Sequence, residues 1–159
     1  MKKSRTDIII SGIITIMLVT LVVVMGIHSN KSILPALTFE DLLDAIEWVE
    51  SKGDANAVGD DGRAVGAYQL WKIYVDDVLR IAKLGGGEGD HPYRWRQNKI
   101  MSRIMVMVYI RHYATEKRVG REPTFEDMAR IHNGGPNGYK KQSTKKYWEK
   151  VKKVLNERS

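Results

Sequence analysis

The chain has 159 residues, of which 43% are hydrophobic and 28% are charged, a globular composition that allows one compact domain plus an appendage. It contains no cysteine, which excludes disulfide frameworks, cysteine-ligated zinc and thiol catalysis. The formal net charge of +7 favours an anionic partner: nucleic acid, an acidic membrane, or a cell wall that bears carboxylates and phosphates.

The N-terminus predicts a membrane anchor. Residues 1–7 are basic, and residues 8–27 form an uncharged run of twenty residues, which as a helix spans a hydrocarbon core of about 30 Å. The excess of Lys and Arg before this run predicts a cytoplasmic N-terminus. The remainder is then expected outside the cytoplasm, on the periplasmic or wall side, or in a viral membrane.

Two alternatives to a permanent anchor stay open. One is a cleaved signal peptide, although the run is long and no clear small-x-small cleavage site follows it. The other is a span that later leaves the bilayer, as in signal-arrest-release endolysins. Gly12 and Gly26 favour that alternative, and the many Val, Ile and Leu residues argue against it.

A tether, residues 28–37, precedes the predicted folded domain, residues 38–159. The first helix of this domain begins with a capping-box pattern at Thr38 and Asp41. The Gly- and Asp-rich segment that follows the helix predicts a small β-hairpin with its turn at residues 60–62. The apolar face predicted for the helix consists of Leu42, Leu43, Ile46 and Val49.

Helical spacing resumes over residues 71–84 and again over residues 93–117, with a glycine-rich loop between the two. Thr124 and Ser143 are predicted to cap two further helices. The fold class predicted is therefore α+β, mostly helical with one small hairpin, preceded by one transmembrane helix. In the longest helix the expected core stripe is Ile100, Ile104, Met107 and Val108.

Three carboxylates around the first helix and the hairpin form the candidate catalytic set. Glu50 leaves the edge of the apolar face at the last helical turn, where partial desolvation and the helix dipole both disfavour its ionised form. Asp60 and Asp61 follow in the turn. Glycoside hydrolysis needs such a pair, a proton donor and an ionised carboxylate across one cleft. The alternative is a half-solvated helix-end glutamate beside ordinary turn aspartates.

Four aromatic residues follow these carboxylates in the sequence. Tyr68, Trp71, Tyr93 and Trp95 offer faces that pack on sugar rings, although each taken singly is also a typical core or rim residue. The four histidines show no spacing typical of metal ligands, so no metal and no cofactor is predicted.

Two blocks resemble the lysozyme superfamily. Glu50-Ser51, followed by Asn56 and by "GAYQ" at residues 66–69, resembles a segment that lysozymes share with lytic transglycosylases and goose-type lysozymes. The second block, "ARIHNGGPNG" followed by "STKKYWEKV", resembles the closing segment of the invertebrate-type (destabilase) lysozymes and of bacterial and phage proteins like them. The two blocks cover roughly half of the predicted domain in the family's order.

The resemblance implies a lysozyme-like fold and a muramidase activity, hydrolysis of the β-1,4 bond between N-acetylmuramic acid and N-acetylglucosamine in peptidoglycan. Glu50 matches the general acid, and Asp60, ahead of Asp61, matches the second carboxylate. The absence of cysteine departs from the disulfide-rich animal members, so their isopeptidase side activity is not carried over. Substrate contacts are implied for Ser51, Asn56, Tyr68, Gln69, His132, Asn133 and Tyr139.

The C-terminal segment, residues 139–159, holds seven lysines and one arginine against two glutamates. A solvated helix face is one interpretation. Attraction to anionic cell-wall polymers is the preferred one, because an exported domain rarely meets nucleic acid and no nucleic-acid-reading motif is present.

Two other functions remain open. A lytic transglycosylase would cleave the same bond with the glutamate alone. A non-catalytic wall-binding or virion structural protein would keep the fold without turnover.

Overall fold

The computed structural model describes residues 37–84 and 91–158, which belong to a compact unit, Leu37–Ser159. The predicted anchor at residues 8–27, the tether up to residue 36 and the centre of the glycine-rich loop lie outside the described residues. Within the described ranges, no helix is both long and apolar enough to cross a bilayer.

Helix α1 (Phe39–Ser51) begins where the sequence predicts it. The Thr38 hydroxyl accepts a hydrogen bond from the Asp41 N–H at 3.2 Å, and the Asp41 carboxylate accepts one from the Thr38 N–H at 2.7 Å, which confirms the capping box. The helix is followed by Lys52, whose φ of 57° is left-handed and stops further helical hydrogen bonding. The buried side chains of α1 are Leu42, Leu43, Ala45 and Ile46.

The hairpin predicted after α1 is also confirmed. Strand β1 (Val58–Gly59) pairs antiparallel with strand β2 (Ala64–Val65). The connecting 3-10 turn, Asp60–Gly62, places Asp60 at φ 49° and Asp61 at φ 55°. Aspartate tolerates this left-handed region better than most residues, which explains why these side chains stand at the turn.

The remaining helices divide differently from the prediction. Helix α2 (Lys72–Ile81) is slightly shorter than expected. The long helix predicted over residues 93–117 is interrupted at Asn98, whose extended backbone ends one segment and whose side chain accepts a hydrogen bond from the Met101 N–H at 3.0 Å. The segments are α3 (His91–Arg94), a 3-10 turn (Trp95–Gln97), α4 (Lys99–Tyr113) and α5 (Glu116–Val119).

Helix α6 (Phe125–Gly134) carries a second capping box, formed by Thr124 and Asp127, which confirms Thr124 as its cap. The last helix, α7 (Lys145–Arg158), follows a 3-10 turn, Gln142–Thr144. Ser143, which the sequence predicts as the cap, lies inside this turn. The residue directly before α7 is Thr144, which is buried. Its hydroxyl lies 2.8 Å from the Gly138 carbonyl oxygen and accepts a hydrogen bond from Arg130 at 3.0 Å.

The core lies between these helices. Helix α1 packs against α6 and α7, and α4 packs against α2 and α6. The described domain is therefore α+β and mostly helical, as the sequence predicts. The core residues contributed by the central helix α4 are Met105, Val106, Tyr109, Ile110 and Tyr113.

The expected core stripe of α4 was wrong in its phase. Ile100 is 71% exposed and Ile104 is 44% exposed, and only Met107 and Val108 of that stripe pack against the core. The sequence of α4 is apolar on most of its circumference, so periodicity alone does not identify the covered face. The packing of α2 and α6 decides it.

A buried arginine connects the hairpin to the segment before α4. Arg96 donates hydrogen bonds to the carbonyl oxygens of Arg63 at 3.2 Å and Leu70 at 3.1 Å, and to that of Tyr93 at 2.9 Å. An arginine side chain suits this task because its fixed fork of donors serves several acceptors at once. The hairpin is thereby held against the helical part of the domain.

Candidate active site

The described domain contains an open groove of about 930 Å³. The end of α1, the hairpin region, α2, one residue of α4, the end of α6 and the loop after it all contribute to its lining. Both Glu50 and Asp60 line this groove, so two of the three predicted carboxylates share one cleft. Such a cleft suits an extended ligand.

Glu50 occupies the last turn of α1, with its side chain only 17% exposed. Its Oε1 lies 3.4 Å from Nε2 of His132, and the His132 side chain is 3% exposed. The Tyr74 hydroxyl lies 3.3 Å from the other ring nitrogen, Nδ1. When Tyr74 donates to Nδ1, the neutral imidazole presents its Nε2–H to the Glu50 carboxylate.

Two tyrosine hydroxyls near Glu50 stay neutral. Burial raises the pKa of Tyr74 well above its usual value, with further contributions from Tyr109 and from the charge of Glu50. Burial, followed by the charge of Glu50, does the same for Tyr147. The Tyr147 hydroxyl is buried and interacts with Glu50, although no described residue meets full hydrogen-bond geometry with it. Glu50 is therefore surrounded by uncharged tyrosines and one imidazole, on the protein side of the groove.

Asp60 reaches the groove from the hairpin turn. Its Oδ2 accepts a hydrogen bond from the Trp71 indole N–H at 3.3 Å, and the Arg63 guanidinium stacks on the Trp71 ring at 4.6 Å. The carboxylate is therefore oriented and exposed to the groove. Asp61 is exposed and lies outside the groove lining, which favours Asp60 as the second carboxylate.

Three of the predicted substrate contacts line the groove: Gln69, His132 and Asn133. The Gln69 amide is already engaged, donating to the carbonyl oxygens of Ala57 at 3.1 Å and Gly66 at 2.9 Å. Gln69 therefore shapes the hairpin base, whereas Asn133 is exposed and open to a ligand.

The structure does not bring the other four to the groove. Tyr68 is 1% exposed, donates to Glu47 at 3.4 Å and accepts from Arg103 at 3.0 Å, so it is a core residue. The Ser51 hydroxyl donates to the Ala67 carbonyl oxygen at 2.8 Å and ties α1 to the chain after the hairpin.

Asn56 and Tyr139 are also placed elsewhere. The Asn56 N–H donates to the Asp54 carboxylate at 2.8 Å in an exposed turn. The Tyr139 hydroxyl donates to the Arg118 carbonyl oxygen at 2.6 Å, and its ring lines a separate pocket. These residues belong to the same short sequence motifs as the groove residues. The path of the chain after α1 and after α6, however, directs their side chains away from the groove.

Of the four aromatic candidates, Trp71 lines the groove and Tyr68, Tyr93 and Trp95 do not. The Tyr93 hydroxyl donates instead to Asp76 at 2.7 Å. Trp71 is the exposed aromatic face beside Asp60 and suits packing on a sugar ring.

Sequence reasoning missed several residues on α2. Tyr74, Asp77 and Arg80 line the groove, and Tyr74 stacks on Tyr109 of α4 with ring centroids 3.9 Å apart. A signal was present, because positions 74, 77 and 80 follow each other at spacings of three and so lie on one side of the helix. In the part of the chain that the structure describes, no cluster of His, Asp and Glu forms a candidate metal site.

Comparisons with known proteins agree with this architecture. The family model described as Destabilase matches residues 40–154. Invertebrate-type lysozyme 6 of Caenorhabditis elegans is 30% identical over 115 residues, which cover 70% of this chain and 83% of that protein. An invertebrate-type lysozyme of Ruditapes philippinarum is 45% identical over 49 residues, which cover 31% of this chain and only 35% of that protein.

Among solved structures, the fold is similar to one chain of the crystal structure of Aeromonas hydrophila PliI in complex with Meretrix lusoria lysozyme. The TM-score is 0.58 at 28% sequence identity, and the match covers 72% of this chain and 88% of that chain. The match to the family model spans most of the described domain, including Glu50 and His132. The chain therefore belongs to the Destabilase family, together with the invertebrate-type lysozymes that it resembles.

Proposed function

We propose that the chain is a peptidoglycan hydrolase that cleaves the β-1,4 bond between N-acetylmuramic acid and N-acetylglucosamine. Family membership supports a lysozyme-type glycoside hydrolase, and the groove supports an extended glycan as the ligand. One observation identifies the residues that we propose to act in the reaction. Glu50 is largely withdrawn from water beside His132, in a groove that it shares with the exposed carboxylate of Asp60.

Glu50 acts as the general acid. Its carboxyl proton passes to the bridging oxygen as the bond from that oxygen to C1 of the muramic acid breaks. The departing sugar leaves with a new hydroxyl, and the positive charge that develops at C1 faces a carboxylate, for which Asp60 is the candidate. Water then adds at C1, and its proton returns to the Glu50 carboxylate.

The surroundings of Glu50 suit this cycle. The Tyr74 and Tyr147 hydroxyls add no charge, and His132 offers an N–H towards Oε1 when its ring is neutral. One carboxyl oxygen is then held in place while the other is left for the substrate. Positioning of this kind lowers the barrier because the reacting atoms are already aligned.

Substitution of the acid tests the activity. Purified peptidoglycan is digested with the full chain or with Glu50→Gln, and the released muropeptides are analysed by mass spectrometry. Wild type is expected to release products with reducing muramic acid ends, and Glu50→Gln to lower the rate by about 100-fold or more, the range of a general acid. Equal release by both proteins would reject the enzymatic proposal in favour of a wall-binding protein.

A lytic transglycosylase is the second candidate, because Asp60 is exposed and the transglycosylase reaction does not depend on a second carboxylate. That reaction needs the glutamate without a carboxylate partner, and it leaves anhydro-muramic ends. Asp60→Asn is expected to reduce hydrolysis strongly and Asp61→Asn, its matched control outside the groove, only slightly. Anhydro ends without reducing ends, with both variants active, would assign the transglycosylase reaction instead.

The proposed location is a membrane-anchored domain facing the wall. The uncharged run at residues 8–27 and the basic residues before it support this orientation. Membrane fractionation of cells expressing the full chain is expected to leave the protein in the pellet after a high-salt wash. Recovery in the soluble fraction with residues 8–27 removed would show a cleaved signal peptide.

A further inference from the structure

A second depression, here called the cationic pocket, lies beside the groove. It has a volume of about 440 Å³. The loop after α6 lies between the two, because residues 135, 136 and 141 line the groove while residues 137, 139 and 140 line the cationic pocket. The lining of the cationic pocket consists of His112, Thr115, Lys117, Arg118, Asn137, Tyr139 and Lys140.

The charge of this pocket is positive and uncompensated. Lys117, Arg118 and Lys140 each contribute a cation, and no Asp or Glu belongs to the lining. Among the described residues, none of these three cations forms an ion pair with a carboxylate. Arg118 instead stacks over the Tyr113 ring at 5.0 Å, and Lys140 over the Tyr139 ring at 5.1 Å. A cation–π contact leaves the positive charge in place.

The pocket is held together by backbone interactions rather than by charge. The Tyr139 hydroxyl donates to the Arg118 carbonyl oxygen at 2.6 Å and so ties the loop after α6 to helix α5. The Arg118 N–H donates to the Thr115 carbonyl oxygen at 3.0 Å, and the Lys140 N–H to that of Asn137 at 3.1 Å. Like charges brought together in this way repel each other, and a bound anion offsets the repulsion.

We propose that the cationic pocket binds a phosphate group of an anionic wall polymer whose glycan strand is engaged in the groove. This inference rests on the proposed function for its choice of polymer. Three cations in one depression match a phosphate better than a single carboxylate, because a phosphate presents several acceptor oxygens and lysine and arginine both serve as its donors. The pocket therefore selects wall material that carries phosphate close to the scissile bond.

Binding is measured without turnover. The full chain carrying Glu50→Gln is titrated with poly(glycerol phosphate), and inorganic phosphate is used as the competitor. A Lys117→Gln/Lys140→Gln pair removes two charges from the pocket. A Lys150→Gln/Lys152→Gln pair removes the same charge from two exposed positions of α7 and is the matched control. Arg118 is left intact because its side chain packs on Tyr113.

The pocket variant is expected to weaken polymer binding by at least tenfold, the control variant by less than threefold, and inorganic phosphate to compete only against the protein with an intact pocket. Equal weakening by both pairs would contradict the pocket and indicate diffuse attraction to the basic surface.

A parallel titration with vesicles of phosphatidylglycerol and phosphatidylcholine tests whether the phosphate comes from a lipid. If the pocket variant loses vesicle binding and keeps polymer binding, the assignment to a wall polymer is overturned. Because Glu50→Gln is present throughout, these outcomes do not depend on the muramidase proposal being right.

Discussion

At the scale of single residues, the neighbourhood of Glu50 contains two tyrosines in different situations. The Tyr74 hydroxyl has a partner, Nδ1 of His132 at 3.3 Å, whereas the buried Tyr147 hydroxyl has no well-aligned partner among the described residues. A buried polar group left unpaired costs free energy, while removal of an unpaired one costs little. The two positions therefore form a natural comparison.

Tyr74→Phe is expected to lower the free energy of unfolding by about 1–3 kcal/mol, because it leaves Nδ1 of the buried His132 ring without its partner. Tyr147→Phe is expected to change it by no more than about 0.5 kcal/mol, since the hydroxyl it removes forms no well-aligned hydrogen bond. Urea unfolding of both variants against wild type measures the difference. An equal loss in the two variants would contradict the assigned hydrogen bonding.

His132 is expected to act as a positioning residue for Glu50. His132→Phe keeps a ring but has no polar atom for Oε1, and it should lower kcat by about 10- to 100-fold with a smaller change in KM. His132→Gln, which keeps a donor, should recover part of the loss. Kinetics on soluble peptidoglycan fragments, with thermal unfolding as the folding control, test this. A loss confined to KM would make His132 a ligand-binding residue only.

At the scale of elements, the segment after the hairpin depends on one close approach. Gly66 has a φ of 83°, and a Cβ placed there would collide with the carbonyl oxygen of Arg96. Gly62, in the hairpin turn, has a similar φ of 86°, but a Cβ there would meet nothing within 4 Å. The two glycines therefore share a left-handed φ, but only Gly66 is also constrained by close contact with a neighbouring backbone segment.

Gly66→Ala is expected to destabilise the domain by more than about 3 kcal/mol, because backbone strain and a clash with backbone add together. Gly62→Ala is expected to cost only about 1 kcal/mol, from the left-handed conformation alone. Unfolding free energies of the two variants separate the contributions. A similar cost at both positions would show that the chain at Arg96 moves aside.

The two capping boxes predict a dependence of stability on pH. Burial acts to raise the pKa of Asp127, but hydrogen bonds from Arg121 and Thr124 lower it on balance. A carboxyl whose folded pKa is depressed stabilises the fold above its unfolded value, about 3.9, and this contribution is lost as pH falls through the folded pKa.

Asp127→Asn is therefore expected to lower the free energy of unfolding at neutral pH by about 1–2 kcal/mol, the range of a lost cap. The difference from wild type should shrink as the pH is lowered below 4. Asp41→Asn is the exposed counterpart and should show a smaller difference. Chemical unfolding at several pH values tests this, and a constant difference across that range would place the effect in packing rather than in charge.

At the scale of the whole molecule, the net charge of +7 predicts attraction to an anionic wall. Exposed charges interact over a Debye length of about 8 Å at physiological ionic strength, so this attraction is screened by salt. Sedimentation of the Glu50→Gln protein with purified wall is expected to fall steadily as sodium chloride is raised. Binding that does not change with salt would point to the glycan groove as the dominant contact.

Local features of the sequence determined much of the fold. The capping boxes at Thr38 and Thr124, the hairpin turn at Asp60 and the helix-end position of Glu50 were all predicted, because each depends on residues a few positions apart. Glu50 and Asp60 were predicted as site residues from their positions at a helix end and in a turn as well as from the motif resemblance, and His132 and Asn133 from the resemblance alone. Their catalytic and binding roles stay predictions.

Only the tertiary structure decided which of the predicted site residues lie together in the groove. Tyr68 belongs to the core and not to the groove because Arg103 and Glu47 cover it, and Tyr139 lies in a separate pocket because its hydroxyl bonds to α5. The covered face of α4 and the meeting of Tyr74 with His132 depend on packing between distant segments. The sequence specifies such long-range contacts only through the folded core, since each amphipathic face by itself is compatible with several partners.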